Sequence, residues 1–173
     1  MTEKPDAGDI VDQQKVAILP DDTAHDVFGK VTDAAVAVLD RSVAALISGN
    51  APRKPQNLAA GSYFGGRKPE DGRIDWRLSA AQIHNLVRGV APPYPGAFTT
   101  LAGETLKILR TRRAQGGHSG RVPALYVENG SCYAACADGA RLQLIAMEYD
   151  GAPFTAAQFL ARFGDQPIAI ETP

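Results

Sequence analysis

The chain has 173 residues, 45% of them apolar and 21% charged, with a formal net charge of −1. That length allows one ordinary domain, or a small domain with part of another. The near-zero charge gives no general pull toward nucleic acid or anionic lipid, no apolar run approaches bilayer length, and the polar, acidic Met1–Asp9 is no secretory signal, so a cytoplasmic location without a membrane partner is expected.

Pro5-Asp6-Ala7-Gly8-Asp9 opens the chain as a turn signal. A strand is expected from Ile10 to Leu19, stopped by Pro20-Asp21-Asp22-Thr23, which also offers helix caps. The clearest helix follows, with Val27, Phe28, Val31, Ala35, Val38, Leu39, Ser42, Val43 and Leu46 at three- and four-residue steps, and Gly49-Asn50 ends it. So full an apolar stripe needs a covering sheet or helix, and only one strand precedes it. Ala51–Asn57 reads as a linker, and Tyr63–Trp76 as an irregular stretch too aromatic for disorder. Ser79–Gln82 is a capping box starting a short helix with Ile83, Leu86, Val87 and Val90 on one face. Pro92-Pro93-Tyr94-Pro95-Gly96 closes that helix.

From Ala97 the pattern turns to short strands: Phe98–Leu101, Thr105–Arg110, Val122–Val127, Ser131–Ala137 and Arg141–Glu148, with turns at Gly103, Asn129-Gly130 and Asp138-Gly139. Five such strands suggest a small open barrel of the OB type. A last helix carries Thr155 and Gln158 as a capping box, Phe154 and Phe159 as a hydrophobic staple, and Phe163-Gly164 at its end. Cys132 and Cys136 fall on one face of a single strand, roughly 13 Å apart at 3.3 Å per residue, which excludes a bridge between them. Reduced structural thiols are expected. The histidines His25, His84 and His118 are scattered and form no metal constellation; His25 and His84 read as surface or partly buried structural residues, and His118 lies in a Gly-rich loop that does not run from a strand into a helix as a phosphate cradle would.

Three segments in this order resemble the formyltransferase superfamily, which includes methionyl-tRNA formyltransferase and the UDP-4-amino-4-deoxy-L-arabinose formyltransferase of lipid A modification. They are Lys4-Pro5-Asp6-Ala7-Gly8-Asp9-Ile10, Gly72-Arg73-Ile74-Asp75-Trp76, and Arg88-Gly89-Val90-Ala91-Pro92-Pro93-Tyr94-Pro95-Gly96-Ala97-Phe98. The resemblance covers essentially the whole chain and is weakest after Arg113. It implies an α+β chain: the last strand and long helix of a Rossmann-like catalytic domain over residues 1–58, a connecting segment with a short helix over 59–96, and an OB-like barrel with a terminal helix over 97–173. Upstream strands carrying the family's catalytic asparagine and histidine match nothing here. Either sequence upstream of Met1 or a partner chain is then expected to cover the Val27–Leu46 helix.

The family reaction moves a formyl group from 10-formyltetrahydrofolate to a primary amine. An oxyanion develops, which an amide can stabilise, and a proton must leave, which an imidazole can carry. A carboxylate beside that imidazole favours its charged form. In the family this carboxylate belongs to an Asp-x-Gly motif, and Asp6-Ala7-Gly8 matches it. The resemblance therefore assigns Asp6 the catalytic role, and Thr2, Glu3, Lys4, Pro5 and Asp6 the loop that touches the folate donor. No metal is implied. Without the resemblance, the same residues are a plain turn.

Two acceptors compete. Tyr63-Phe64-Gly65-Gly66-Arg67-Lys68-Pro69-Glu70-Asp71-Gly72 resembles the corresponding segment of the arabinose enzymes, and Tyr94–Phe98 suits the sugar enzymes too. Arg110, Arg112, Arg113 and Arg121 flank a Gly-rich loop and could meet phosphates. From Ala97 onward, however, seven Lys and Arg face seven Asp and Glu, and a tRNA-gripping barrel should be clearly basic. An amino-sugar nucleotide is therefore favoured over tRNA. A third reading is a truncated, non-catalytic module with a binding or structural role, since one catalytic residue of three cannot run the reaction and this chain alone should show no turnover.

Overall fold

The computed structural model describes residues 6–117 and 122–170. It has three α-helices, α1 (Ala24–Ile47), α2 (Ala80–Gly89) and α3 (Ala156–Phe163), and seven strands: β1 (Ala97–Leu101), β2 (Glu104–Ala114), β3 (Ala124–Glu128), β4 (Ser131–Ala135), β5 (Arg141–Tyr149), β6 (Ala152–Pro153) and β7 (Ile168–Ala169). The residues form two compact units. One comprises residues 1–20 and 26–67, the other 21–25 and 68–173.

The second unit is one antiparallel sheet in the order β1-β2-β5-β4-β3-β7, with β6 paired to β5. This curled half-barrel with helices is the mixed α and β architecture that the strand pattern predicts. Each of the five expected strands is present within a few residues of its predicted ends, although β2 runs on to Ala114. Register shifts at Arg110 mark a bulge, which turns Ile108 and Thr111 to the same buried side. The two-residue strands β6 and β7 carry too little pattern to be read in advance.

The core holds Leu106, Ile108, Leu125, Ala134, Leu142 and Leu144 from the sheet, Ile83 and Val87 from α2, and Phe159 from α3. It also reaches upstream of the barrel to Ile74 and Trp76. Ile74 N donates to Phe98 O at 2.8 Å, and Trp76 Nε1 donates to Thr99 Oγ1 at 3.0 Å. Gly72 is buried against Gly96: a Cβ on Gly72 would stand 2.7 Å from the Gly96 carbonyl oxygen. Gly96 itself has φ +86°, and a Cβ there would strike Leu109. Both capping boxes form, at Ser79/Gln82 and Thr155/Gln158. The Phe154–Phe159 staple closes with ring centroids 6.3 Å apart.

The first unit is built on α1. The strand expected over Ile10–Leu19 does not form: Ile10 alone pairs, exchanging two backbone hydrogen bonds of 2.9 Å with Lys54. A strand needs a neighbour for each alternate N–H and C=O, and among the described residues none continues past that bridge. Side chains of α1 hold the segment instead. Lys30 Nζ donates to Ala17 O, and Arg41 to Gln13 O. Ser42 is the only residue of α1 that is buried. Phe28, Val31, Leu39, Val43 and Leu46 are all exposed large apolar residues, the stripe that periodicity located but for which the described residues of this unit supply no cover.

Candidate functional site

The turn at Asp6 lies in the first unit. Asp6 is exposed, with φ +58°, a left-handed conformation that aspartate tolerates better than most residues. Gln56 Nε2 donates to the carbonyls of both Asp6 and Gly8, so one amide staples the turn to the linker. Six residues past Asp6, Asp12 is locked to α1 by Arg41 Nη2 at 3.0 Å and Ser42 Oγ at 3.0 Å. The Arg41 guanidinium, helped by Ser42, holds the Asp12 carboxyl down at about 2. Between turn and helix runs an open groove of about 390 Å³, lined by Asp9 to Gln13 and by Val38, Leu39, Ser42 and Leu46. The turn is thus fixed through its backbone at both ends, while the Asp6 carboxylate makes no hydrogen bond to another described residue. Thr2, Glu3, Lys4 and Pro5, the remainder of the expected donor loop, lie outside the described residues, as do His118 and Arg121.

The two downstream motifs have a different character. Gly72, Ile74, Trp76, Gly96 and Ala97 are all buried, and their contacts are with one another and with the sheet. Asp75 points out and is held down at about 2 by two hydrogen bonds from the Arg77 guanidinium, at 2.8 and 2.7 Å. The buried members of these segments serve packing.

Sequence reasoning missed one polar cluster, in the second unit. His84, on the buried side of α2, places Nδ1 2.8 Å from Thr111 Oγ1 and Nε2 3.5 Å from Asp21 Oδ1. Arg112 Nε reaches the other oxygen of Asp21 at 3.9 Å, and Arg88 Nη1 donates to Asp22 O at 3.1 Å. A hydroxyl, an imidazole and a carboxylate in a row resemble a nucleophilic triad. Thr111, however, is only 4% exposed, so no acyl carbon can reach its oxygen. Residue spacing gave no hint of the cluster, because Asp21 is 63 residues from His84 in the chain.

Of the arginines flanking the Gly-rich loop, Arg110, Arg112 and Arg113 are exposed along β2. Arg141, outside that set, binds Gln115 O and Glu128 and lies over the Tyr133 ring, 4.8 Å from its centroid. Both cysteines are buried and free, and burial pushes the thiols up to about 11 for Cys132 and about 12 for Cys136. Among the described residues no three His, Cys, Asp or Glu side chains gather as metal ligands. No described helix is long and apolar enough to cross a membrane.

A curled antiparallel sheet with α2 against it, preceded by interlocked Gly72 and Gly96, defines the class of fold. The family model for the formyl transferase C-terminal domain matches residues 67–164. The chain belongs to that family, and so carries a C-terminal portion of the formyltransferase superfamily. Solved structures share its fold. An N-formyltransferase from Helicobacter canadensis, in complex with folinic acid and dTDP-3-aminofucose, matches 83% of this chain and 52% of its own at 18% identity and TM-score 0.66. HypX from Aquifex aeolicus, in complex with tetrahydrofolic acid, matches 94% of this chain and 29% of its own at 16% identity and TM-score 0.61. Methionyl-tRNA formyltransferase from Clostridium thermocellum matches 84% of this chain and 53% of its own at 19% identity and TM-score 0.51. The chain spans about half the length of the Helicobacter and Clostridium proteins.

Proposed function

We propose that this chain is the C-terminal part of a 10-formyltetrahydrofolate-dependent formyltransferase whose acceptor is the amine of a UDP-4-amino-4-deoxy sugar or a close nucleotide-linked relative. The observation that carries the reading is the family match over residues 67–164. Asp6 serves as the carboxylate that keeps a neighbouring imidazole charged while the amine attacks the formyl carbon. Its exposed carboxylate on a backbone-stapled turn suits that task. Thr2 to Asp6 form the edge that meets the folate donor. That the Helicobacter structure holds folinic acid and the HypX structure tetrahydrofolic acid supports a folate donor here.

For the acceptor, the balanced charge of the barrel and the segment from Tyr63 to Gly72 favour the sugar nucleotide. Tyr63 and Phe64 are 83% and 92% exposed, so the residues that carry this resemblance are available to a ligand. Methionyl-tRNA is the second reading, favoured by the exposed Arg110, Arg112 and Arg113 on β2 and by the likeness to the Clostridium enzyme.

The test is a formylation assay with 10-formyltetrahydrofolate on the gene product containing these residues, offered a nucleotide-linked amino sugar and methionyl-tRNA in parallel. Formylation of the sugar amine, lost in Asp6→Asn, is expected, with no turnover by residues 1–173 alone. Formylation of methionyl-tRNA only would overturn the acceptor. Full activity in Asp6→Asn would overturn the role of Asp6, and turnover by residues 1–173 alone would overturn the incomplete site.

A further inference from the structure

In the first unit, Ile10 and Lys54 exchange two backbone hydrogen bonds of 2.9 Å across an antiparallel bridge. Hydrogen-bonded pairs of such a ladder recur at every second residue, so the next would be Gly8 with Gln56. Among the described residues no backbone bond joins that pair. The Gln56 side chain takes its place: Nε2 donates to the Gly8 carbonyl, and to the Asp6 carbonyl at 3.1 Å. A side-chain amide carries two hydrogens, and here they go to carbonyls two residues apart.

We propose that Gln56 is the positioning residue for the Asp6 carboxylate, an inference that rests on Asp6 being the group that keeps the imidazole charged. Were the ladder to continue through the Gln56 N–H, residues 6 to 8 would be drawn out as strand. Asp6 has φ +58° instead. Aspartate tolerates that left-handed conformation, but extended backbone is the more accessible state, so a contact must hold the turn. The Gln56 amide does so by gathering the two carbonyls on one donor group. The carboxylate is left outside the staple and exposed.

Among the described residues no other hydrogen bond holds residues 6 to 8. The anchors beyond them are the Ile10–Lys54 bridge and the grip of Arg41 and Ser42 on Asp12. Loss of the Gln56 amide therefore releases the turn alone and leaves the segment after it in place. Gln56 is exposed, so substitution there spares the core. Gln56→Glu keeps the size but offers the two carbonyls only acceptors at neutral pH, and Gln56→Lys restores a donor of similar reach.

The test has two arms. In residues 1–173, the nuclear Overhauser effect between the amide and Hα protons of Asp6 reports its positive φ. It should be strong in the wild type and in Gln56→Lys and weak in Gln56→Glu, with the cross-strand contacts of Ile10 and Lys54 unchanged. The second arm is turnover by the gene product containing these residues, with 10-formyltetrahydrofolate and whichever acceptor it formylates, nucleotide-linked amino sugar or methionyl-tRNA. There Gln56→Glu should lower kcat about ten- to a hundredfold, the scale of a reacting group displaced by about 1 Å. Both KM values should hold, and Gln56→Lys should recover most of the rate. A left-handed Asp6 in Gln56→Glu, or equal losses in the two variants, would overturn the positioning role. Wild-type kcat in Gln56→Glu beside an inactive Asp6→Asn would overturn that role and leave Asp6 standing. Wild-type kcat in Asp6→Asn would remove the role of Asp6, and the positioning role with it.

Discussion

Gly72 and Gly96 meet with no room for a side chain between them. Because the atom a Cβ on Gly72 would strike is a backbone carbonyl, Gly72→Ala must move the backbone itself. A loss of about 1–3 kcal/mol is expected, measured by urea unfolding, whereas alanine at the open Gly130 should be strained only by its φ of +73°. Asp12 yields a prediction with a definite sign. Its carboxyl is held at about 2 by Arg41 and Ser42, below the ordinary value, so its contribution to stability is present above that ordinary value and is lost as pH falls toward 2. The unfolding midpoint of the wild type should therefore drop more steeply than that of Asp12→Asn between about pH 5 and about pH 2. Cys132 and Cys136, buried and raised, carry little thiolate at neutral pH. A thiol reagent should label them only in denaturant, and prompt labelling of the native chain would contradict their burial.

At the level of elements, the capping boxes were readable because a cap is a local contract between residues three apart. Ser79→Ala should lower stability by about 1 kcal/mol, read from thermal melts, and Thr155→Ala by a similar amount. The hairpins were readable for the same reason: Asn129-Gly130 and Asp138-Gly139 specify their turns locally, and alternation across β4 and β5 marks the buried face. What escaped was set by partners distant in sequence. Residues Ile10 to Leu19 have the composition of a strand, but among the described residues they find only the single Ile10–Lys54 bridge. The bulge at Arg110, which turns Thr111 inward to meet His84, follows from the register of β2 on β5. For the expected site, the assignment of Asp6 rests on resemblance alone, because Pro-Asp-Ala-Gly by itself spells any tight turn.

On the scale of the molecule, α1 displays Phe28, Val31, Leu39 and Val43 at 41–65% exposure, an apolar stripe of the kind that drives association. Residues 1–173 on their own should self-associate with rising concentration in sedimentation velocity, and Leu39→Lys should suppress this without altering the far-ultraviolet spectrum. Unchanged association in that variant would assign the contact to another surface. The interleaved chain order has a practical consequence. The family match starts at residue 67, and a biochemist trimming the protein to its barrel would cut there. Such a fragment leaves behind the Asp21 carboxylate and the Asp22 carbonyl, and with them the acceptors that His84 Nε2 and Arg88 Nη1 use. Supplying residues 20–26 in trans as a synthetic peptide should recover part of the lost thermal tolerance, a rescue no boundary drawn from the matched span would anticipate.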